Sequence, residues 1–132
     1  MKLRIKGNSL RLRLTQSEVA SIGRGERVSE AVDFGAGTTL TYALESDANA
    51  AQITAHFMDN RITIILPTMQ AREWVNTALV GLRAEHTHAT KGTAGGESAQ
   101  KLTLLIEKDF VCIDGDPTED QADAYPNPNL KY

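Results

Sequence analysis

Five cations near the N-terminus have the spacing of a binding stripe. Lys2, Arg4 and Lys6 alternate with aliphatic residues, and so do Arg11 and Arg13. Side chains two apart on a strand share a face, so each set lines one side of an extended segment. If the two segments pair, five positive charges crowd a small area. Their repulsion must be relieved by acids or by an anionic ligand. The planar fork of arginine suits phosphate and carboxylate alike. The stripe is therefore a candidate site for a small anion or a protein partner, with nucleic acid as the alternative. The competing reading is a solvated face, or one paired with Glu30, Glu45 or Glu107 on neighbouring strands. Arg61 and His56 join the candidate site if the polar face of their own hairpin lies on the same surface.

Other constellations carry less. Glu85-His86-Thr87-His88 puts two imidazoles on one strand face, with His56 as a conceivable third metal ligand. Cys112 lies between Val111 and Ile113 and reads as a buried apolar thiol. The acidic run from Asp114 to Asp120 lacks the alternating ligands of an EF-hand loop, so an acidic surface tail is expected. No Walker loop, dinucleotide fingerprint, HExxH or nucleophile elbow is present. The expectation is a chain with no bound metal and no cofactor, and it leans away from an enzyme. A metal-dependent phosphohydrolase in a polar barrel is a further alternative, but it needs a carboxylate pair that no spacing supplies.

The elements that must position these residues follow from local pattern. Lys2–Lys6 and Leu10–Leu14 alternate strictly around Gly7-Asn8-Ser9 and predict a hairpin. Thr15-Gln16-Ser17-Glu18 is a capping box, with Leu14 and Val19 at the staple positions. A helix is expected over about 16–22, with Gly23 as its left-handed stop. Val28, Val32 and Phe34, then Leu40, Tyr42 and Leu44, predict a second hairpin across Gly35-Ala36-Gly37. Asp59-Asn60 suits a two-residue primed turn between 51–58 and 61–66. That turn sets Phe57 opposite Ile62, Ala55 opposite Ile64 and Ile53 opposite Leu66. A second helix is expected near 69–76 and an extended segment over 79–88. A mobile glycine-rich loop is expected over 90–98, and core strands at 102–106 and 110–113. Beyond Asp114 the chain is expected to run over the surface.

This adds up to seven to nine short strands and two short helices. The expected class is α+β, built on mostly antiparallel sheet that is either open and curved or closed like a barrel. With 132 residues, 41% hydrophobic and 23% charged, the chain fits one domain, 1–132, with enough length for a core of its own. No apolar run approaches the length of a membrane span, and the first residues lack the core of a secretory signal. The one cysteine fits a reducing, cytoplasmic setting. The net charge of −3 hides an asymmetry. Residues 1–27 hold seven of the 14 Lys and Arg against two acids, so the remainder is strongly acidic.

Two resemblances add to this reading. Lys6-Gly7-Asn8-Ser9-Leu10-Arg11-Leu12-Arg13-Leu14-Thr15, Asp59-Asn60-Arg61-Ile62-Thr63, Glu107-Lys108-Asp109-Phe110-Val111-Cys112 and Asp123-Ala124-Tyr125-Pro126-Asn127-Pro128 resemble a family of small uncharacterised bacterial proteins along nearly the whole chain. That likeness implies no activity. Over residues 1–45 alone, Gly7-Asn8-Ser9-Leu10, the capped helix and Gly25-Glu26-Arg27-Val28 are similar to swapped-hairpin antitoxins and transition-state regulators. Those are small dimers that bind DNA through their first hairpin. The resemblance implies that Lys6, Asn8, Ser9, Arg11 and Arg13 would face DNA. Thr15 stands where that family usually has proline.

Overall fold

The computed structural model describes residues 1–91, 97–110 and 123–126. The order of elements is β1 (Lys2–Lys6), β2 (Ser9–Leu14), α1 (Gln16–Gly23), β3 (Val28–Asp33), β4 (Thr39–Asp47), β5 (Thr54–Met58), β6 (Arg61–Pro67), α2 (Thr68–Asn76), β7 (Gly81–Lys91) and β8 (Glu97–Lys108). They form an α+β fold of two four-stranded sheets. One has the order β1-β2-β8-β7 and the other β3-β4-β6-β5. The sheets stay open, so the barrel form of the expectation, and with it a polar lumen, does not occur.

Each hairpin is antiparallel, as its alternation and turn demand. The pairing at the centre of each sheet is parallel, β2 with β8 and β4 with β6. No local pattern announces a parallel pair between distant strands. The sheets are therefore mixed, though mostly antiparallel.

The two sheets share one construction. The chain runs hairpin, helix, hairpin, and then hairpin, helix, hairpin again. Lys6↔Ser9 closes the first hairpin, and Met58↔Arg61 closes its counterpart 52 residues further on. The same offset carries Leu12 onto Ile64, Leu14 onto Leu66, Val19 onto Ala71 and Ile22 onto Trp74, all of them buried. It also carries the N-cap Thr15 onto the N-cap Pro67. Each sheet takes one hairpin from each half, so the halves interleave.

Turn chemistry matches the backbone. Asp59 and Asn60 both have positive φ, as a primed turn between two-residue-linked strands requires. The register of that hairpin is the expected one for Phe57↔Ile62 and Ala55↔Ile64, but β5 begins at Thr54 rather than 51, so the expected Ile53–Leu66 pair is not part of the ladder. The capping box also forms: the Thr15 side chain accepts from the Glu18 backbone N–H, and the Glu18 carboxylate accepts from the Thr15 N–H at 2.9 Å. Glu18 further receives the Met1 ammonium, whose second partner is Glu30 at 3.2 Å.

Some expectations need correction. Gly23 is helical, and the left-handed residue is Gly25, at φ +79. Gly23 is needed for another reason: a Cβ there would lie 2.8 Å from Val75 Cγ1, where α1 meets α2. Strands β7 and β8 extend to Lys91 and from Glu97, so the expected loop over 90–98 is shorter; residues 92–96 lie outside the described residues. Val32, near the end of β3, and Phe34, just beyond it, are exposed, so the alternation there does not mark a buried face. Cys112, the strand expected through 113 and the acidic run to Asp120 lie outside the described residues. Residues 123–126 do not merely skirt the surface. Ala124 is buried, and Tyr125 bridges Phe110 with its N–H donating to the Asp109 carbonyl at 2.6 Å.

The core lies between the inner sheet faces and is closed at one end by the helices. Leu12, Leu14, Leu104 and Ile106 from one sheet meet Leu44, Ile64 and Leu66 from the other, with Val19, Ile22 and Trp74 capping them. Trp74, the largest fully buried side chain, donates its indole N–H to the Val80 carbonyl at 3.1 Å. Burying such a ring without that partner would be costly. At the opposite end the hairpin tips leave Ile5 and Phe57 exposed around a shallow cleft of about 220 Å³.

Candidate functional site: the outer face of β1–β2–β8

The inward turn of Leu12 and Leu14 sends the five N-terminal cations outward. Register places Lys2 directly across from Arg13, and Arg4 directly across from Arg11. Like charges opposed in this way destabilise a sheet unless something offsets them.

Two acids on and after the next strand do part of this. Arg11 reaches across to Glu107 with both its Nε and its Nη2, the latter at 3.1 Å. Lys2 Nζ lies 3.2 Å from Asp109, whose carboxylate is nearly buried. Each opposed pair thus has one neutralised member. Arg4 and Arg13 are the members left over, and Lys6 adds a third. Among the described residues these three make no ion pair or side-chain hydrogen bond.

Further along the same face two cations share one acid. Glu85 takes Arg83 at 2.6 Å and Lys101 at 2.8 Å. Hydrogen bonds from Lys101 and then Arg83 hold its carboxyl below the usual range. Lys108 is removed from the surface altogether. Its ammonium donates to the Thr77 carbonyl at 2.7 Å and sits 5.6 Å from the centre of the Tyr125 ring. Burial lowers its pKa. Among the described residues of this face, the cations with no acidic partner therefore lie on the β1–β2 hairpin.

Arg61 and His56 do not belong to this surface. They lie on the outer face of the other sheet, on β6 and β5, and the two outer faces point away from each other across the core. The condition that would have joined them to the stripe is not met. The offset of 52 shows why the faces differ. Thr54, His56 and Met58 stand where the first half has Lys2, Arg4 and Lys6, and Thr63 and Ile65 stand where it has Arg11 and Arg13.

The histidines do not converge either. His86 points inward, its Nε2 against the Ile53 carbonyl oxygen, while His56 faces outward on the other sheet. The side chain of His88 lies outside the described residues. Among the described residues no group of three or more His, Cys, Asp or Glu could hold a metal ion. Nor is any described helix long and apolar enough to cross a membrane.

Asp109 was not apparent in the sequence as a partner for Lys2. Its position just past the end of β8 gains meaning only once β8 is known to lie parallel beside β2. Glu107 could be named in advance as one of three acids, but not chosen among them.

No curated protein and no solved structure matches the chain. A sequence profile does match, over residues 1–129, and it covers every element that builds the face described above. By that match the chain belongs to a family of unknown function, DUF7009.

Proposed function

We propose that the protein is a binding module that docks an acidic surface of a protein partner on the outer face of β1–β2. The observation that carries this reading is the trio Arg4, Lys6 and Arg13. They are exposed or half-exposed, they share one sheet face, and no acid among the described residues neutralises them. Such a patch raises the local concentration of anionic partners and speeds encounter. A flat sheet face with separated cations fits an extended acidic surface better than a small anion, which needs convergent donors in a concavity.

Nucleic acid is the second reading, and one observation favours it. The chain contains two equivalent hairpin–helix–hairpin halves with their hairpins exchanged between sheets, which accords with the likeness of residues 1–45 to swapped-hairpin regulators. A single chain would then supply the two-fold arrangement those dimers use. Against it, only the first hairpin is basic; its counterpart offers Arg61 alone among Lys and Arg. A two-fold DNA site expects matched halves. The phosphohydrolase alternative has neither a lumen nor a metal-holding group among the described residues to support it.

Fluorescence anisotropy with labelled poly-glutamate and labelled duplex DNA, at low and high salt, separates the readings. The proposal expects poly-glutamate to bind at low salt and the double variant Arg4→Glu, Arg13→Glu to lose that binding. Unchanged binding by the variant would overturn it. Preference for DNA with a steep salt dependence would favour the second reading.

A further inference from the structure

The outer face of the β3-β4-β6-β5 sheet holds a depression of about 540 Å³, lined by Thr41, His56, Met58, Asp59, Arg61 and Thr63. We infer that it is a separate site for a small oxyanion that also carries a hydrogen-bond donor, such as an amino-substituted phosphate or carboxylate.

The depression lies where the first half carries its basic stripe. At the positions of Arg4, Lys6 and Arg11 the second half has His56, Met58 and Thr63. His56 and Thr63 are shorter than the arginines they correspond to, and both line the depression. The one cation among the residues that line the depression is Arg61, at the place of Ser9.

The donors line one depression and are neighbours on the sheet. Thr41 is the cross-strand neighbour of Arg61, and His56 is the cross-strand neighbour of Thr63. Arg61 and Thr63 are two apart on β6, so they share a face. Strand spacing and rise put the four groups within roughly 7 Å of their neighbours. An oxyanion above them can take the guanidinium fork, two hydroxyls and an imidazole N–H.

None of these side chains is committed elsewhere. Among the described residues, Thr41, His56, Asp59, Arg61 and Thr63 form no side-chain hydrogen bond and no ion pair. Arg61 has no acid partner even though Asp59 lies on the same rim. Asp59 occupies the hairpin turn with positive φ, at the edge of the depression. A carboxylate there repels a bare anion but accepts from an amine or hydroxyl on the same ligand. The volume falls in the range of small-molecule sites, roughly 300–1,000 Å³. The depression is open, so weak, millimolar affinity is expected.

The test titrates inorganic phosphate, acetate and phosphoethanolamine into the full chain at low salt, following the backbone amide signals of Thr41, Arg61 and Thr63 by NMR. Saturable shifts are expected with phosphate and larger affinity with phosphoethanolamine. Arg61→Ala should weaken both at least tenfold. Asp59→Asn should remove the preference for phosphoethanolamine while keeping phosphate binding. The Arg4→Glu, Arg13→Glu variant should bind as the parent does, which separates this site from the basic face. Absence of saturable shifts with all three probes would overturn the inference, as would equal affinity in Arg61→Ala or loss of binding in the Arg4→Glu, Arg13→Glu variant. A preference that survives Asp59→Asn would overturn the role given to that carboxylate.

Discussion

Gly23 and Val75 occupy equivalent places in the two halves of the chain, and they touch each other. Each lies at the C-terminal end of its helix, 52 residues apart, and a Cβ on Gly23 would come within 2.8 Å of Val75 Cγ1. A position that packs against its own counterpart cannot be large in both copies. Here one copy has no side chain and the other fills the space. The glycine is set by this contact, since its φ is not in the left-handed region.

Gly23→Ala should therefore destabilise the protein by about 1–2 kcal/mol, because overpacking outweighs the helix propensity that alanine adds. In a Val75→Ala background the same change should be neutral or stabilising. Urea denaturation of the two single variants and the double variant gives the coupling, expected to exceed roughly 1 kcal/mol. Additive effects would show that the helices do not meet at this point.

Glu107 is the acid that keeps Arg11 from adding to the free charge. Arg11 is 32% exposed and Glu107 21%, so the pair is partly screened and contributes less than about 1 kcal/mol to stability. Glu107→Gln should barely move the denaturation midpoint, yet it should strengthen poly-glutamate binding roughly two- to fivefold at low salt. Weaker binding in this variant would mean that the carboxylate itself takes part in recognition.

Tyr42 donates to Glu30 at 2.8 Å. Burial first, and then this hydrogen bond to Glu30, push its phenol up to about 12 from the ordinary 10.0. The unfolded chain ionises this group at lower pH than the folded protein does. Its contribution to stability is thus fully present below about pH 10 and lost as pH rises towards 12. Unfolding measured from neutral to alkaline pH should show this loss in the parent. Tyr42→Phe should be less stable at neutral pH and should lose less over the alkaline range. Parallel curves for the two proteins would contradict the shift.

What was legible in the sequence was local. The capping box at Thr15–Glu18 and the Asp59-Asn60 turn specify themselves within a few residues, and the turn also fixes the register of Phe57 with Ile62. The parallel pairing of Ser9 with Thr103 was not legible, because β2 and β8 carry no mark that selects one another. The duplication was hidden for a related reason. Along these strands its halves share the apolar alternation, Leu10, Leu12 and Leu14 against Ile62, Ile64 and Leu66, which many strands show. At the exposed positions the residues diverge, Arg4 against His56 and Arg11 against Thr63. The stripe itself was visible; which of its members were already neutralised depended on Glu107 and Asp109, brought close by that parallel pair.

The exchange of hairpins between sheets also governs how the protein can be made. As the chain is synthesised, β1 and β2 emerge first, yet the strand that completes their sheet, β8, is the last. The earlier half has two hairpins and a helix but no finished sheet until the later half arrives. Long-range pairing of this kind is slow to nucleate, since loop closure precedes the contacts that reward it. The connection over residues 48–52 supplies none of the strand pairing. A chain severed there would keep every partner it needs in the other fragment, and neither fragment would have a complete fold alone.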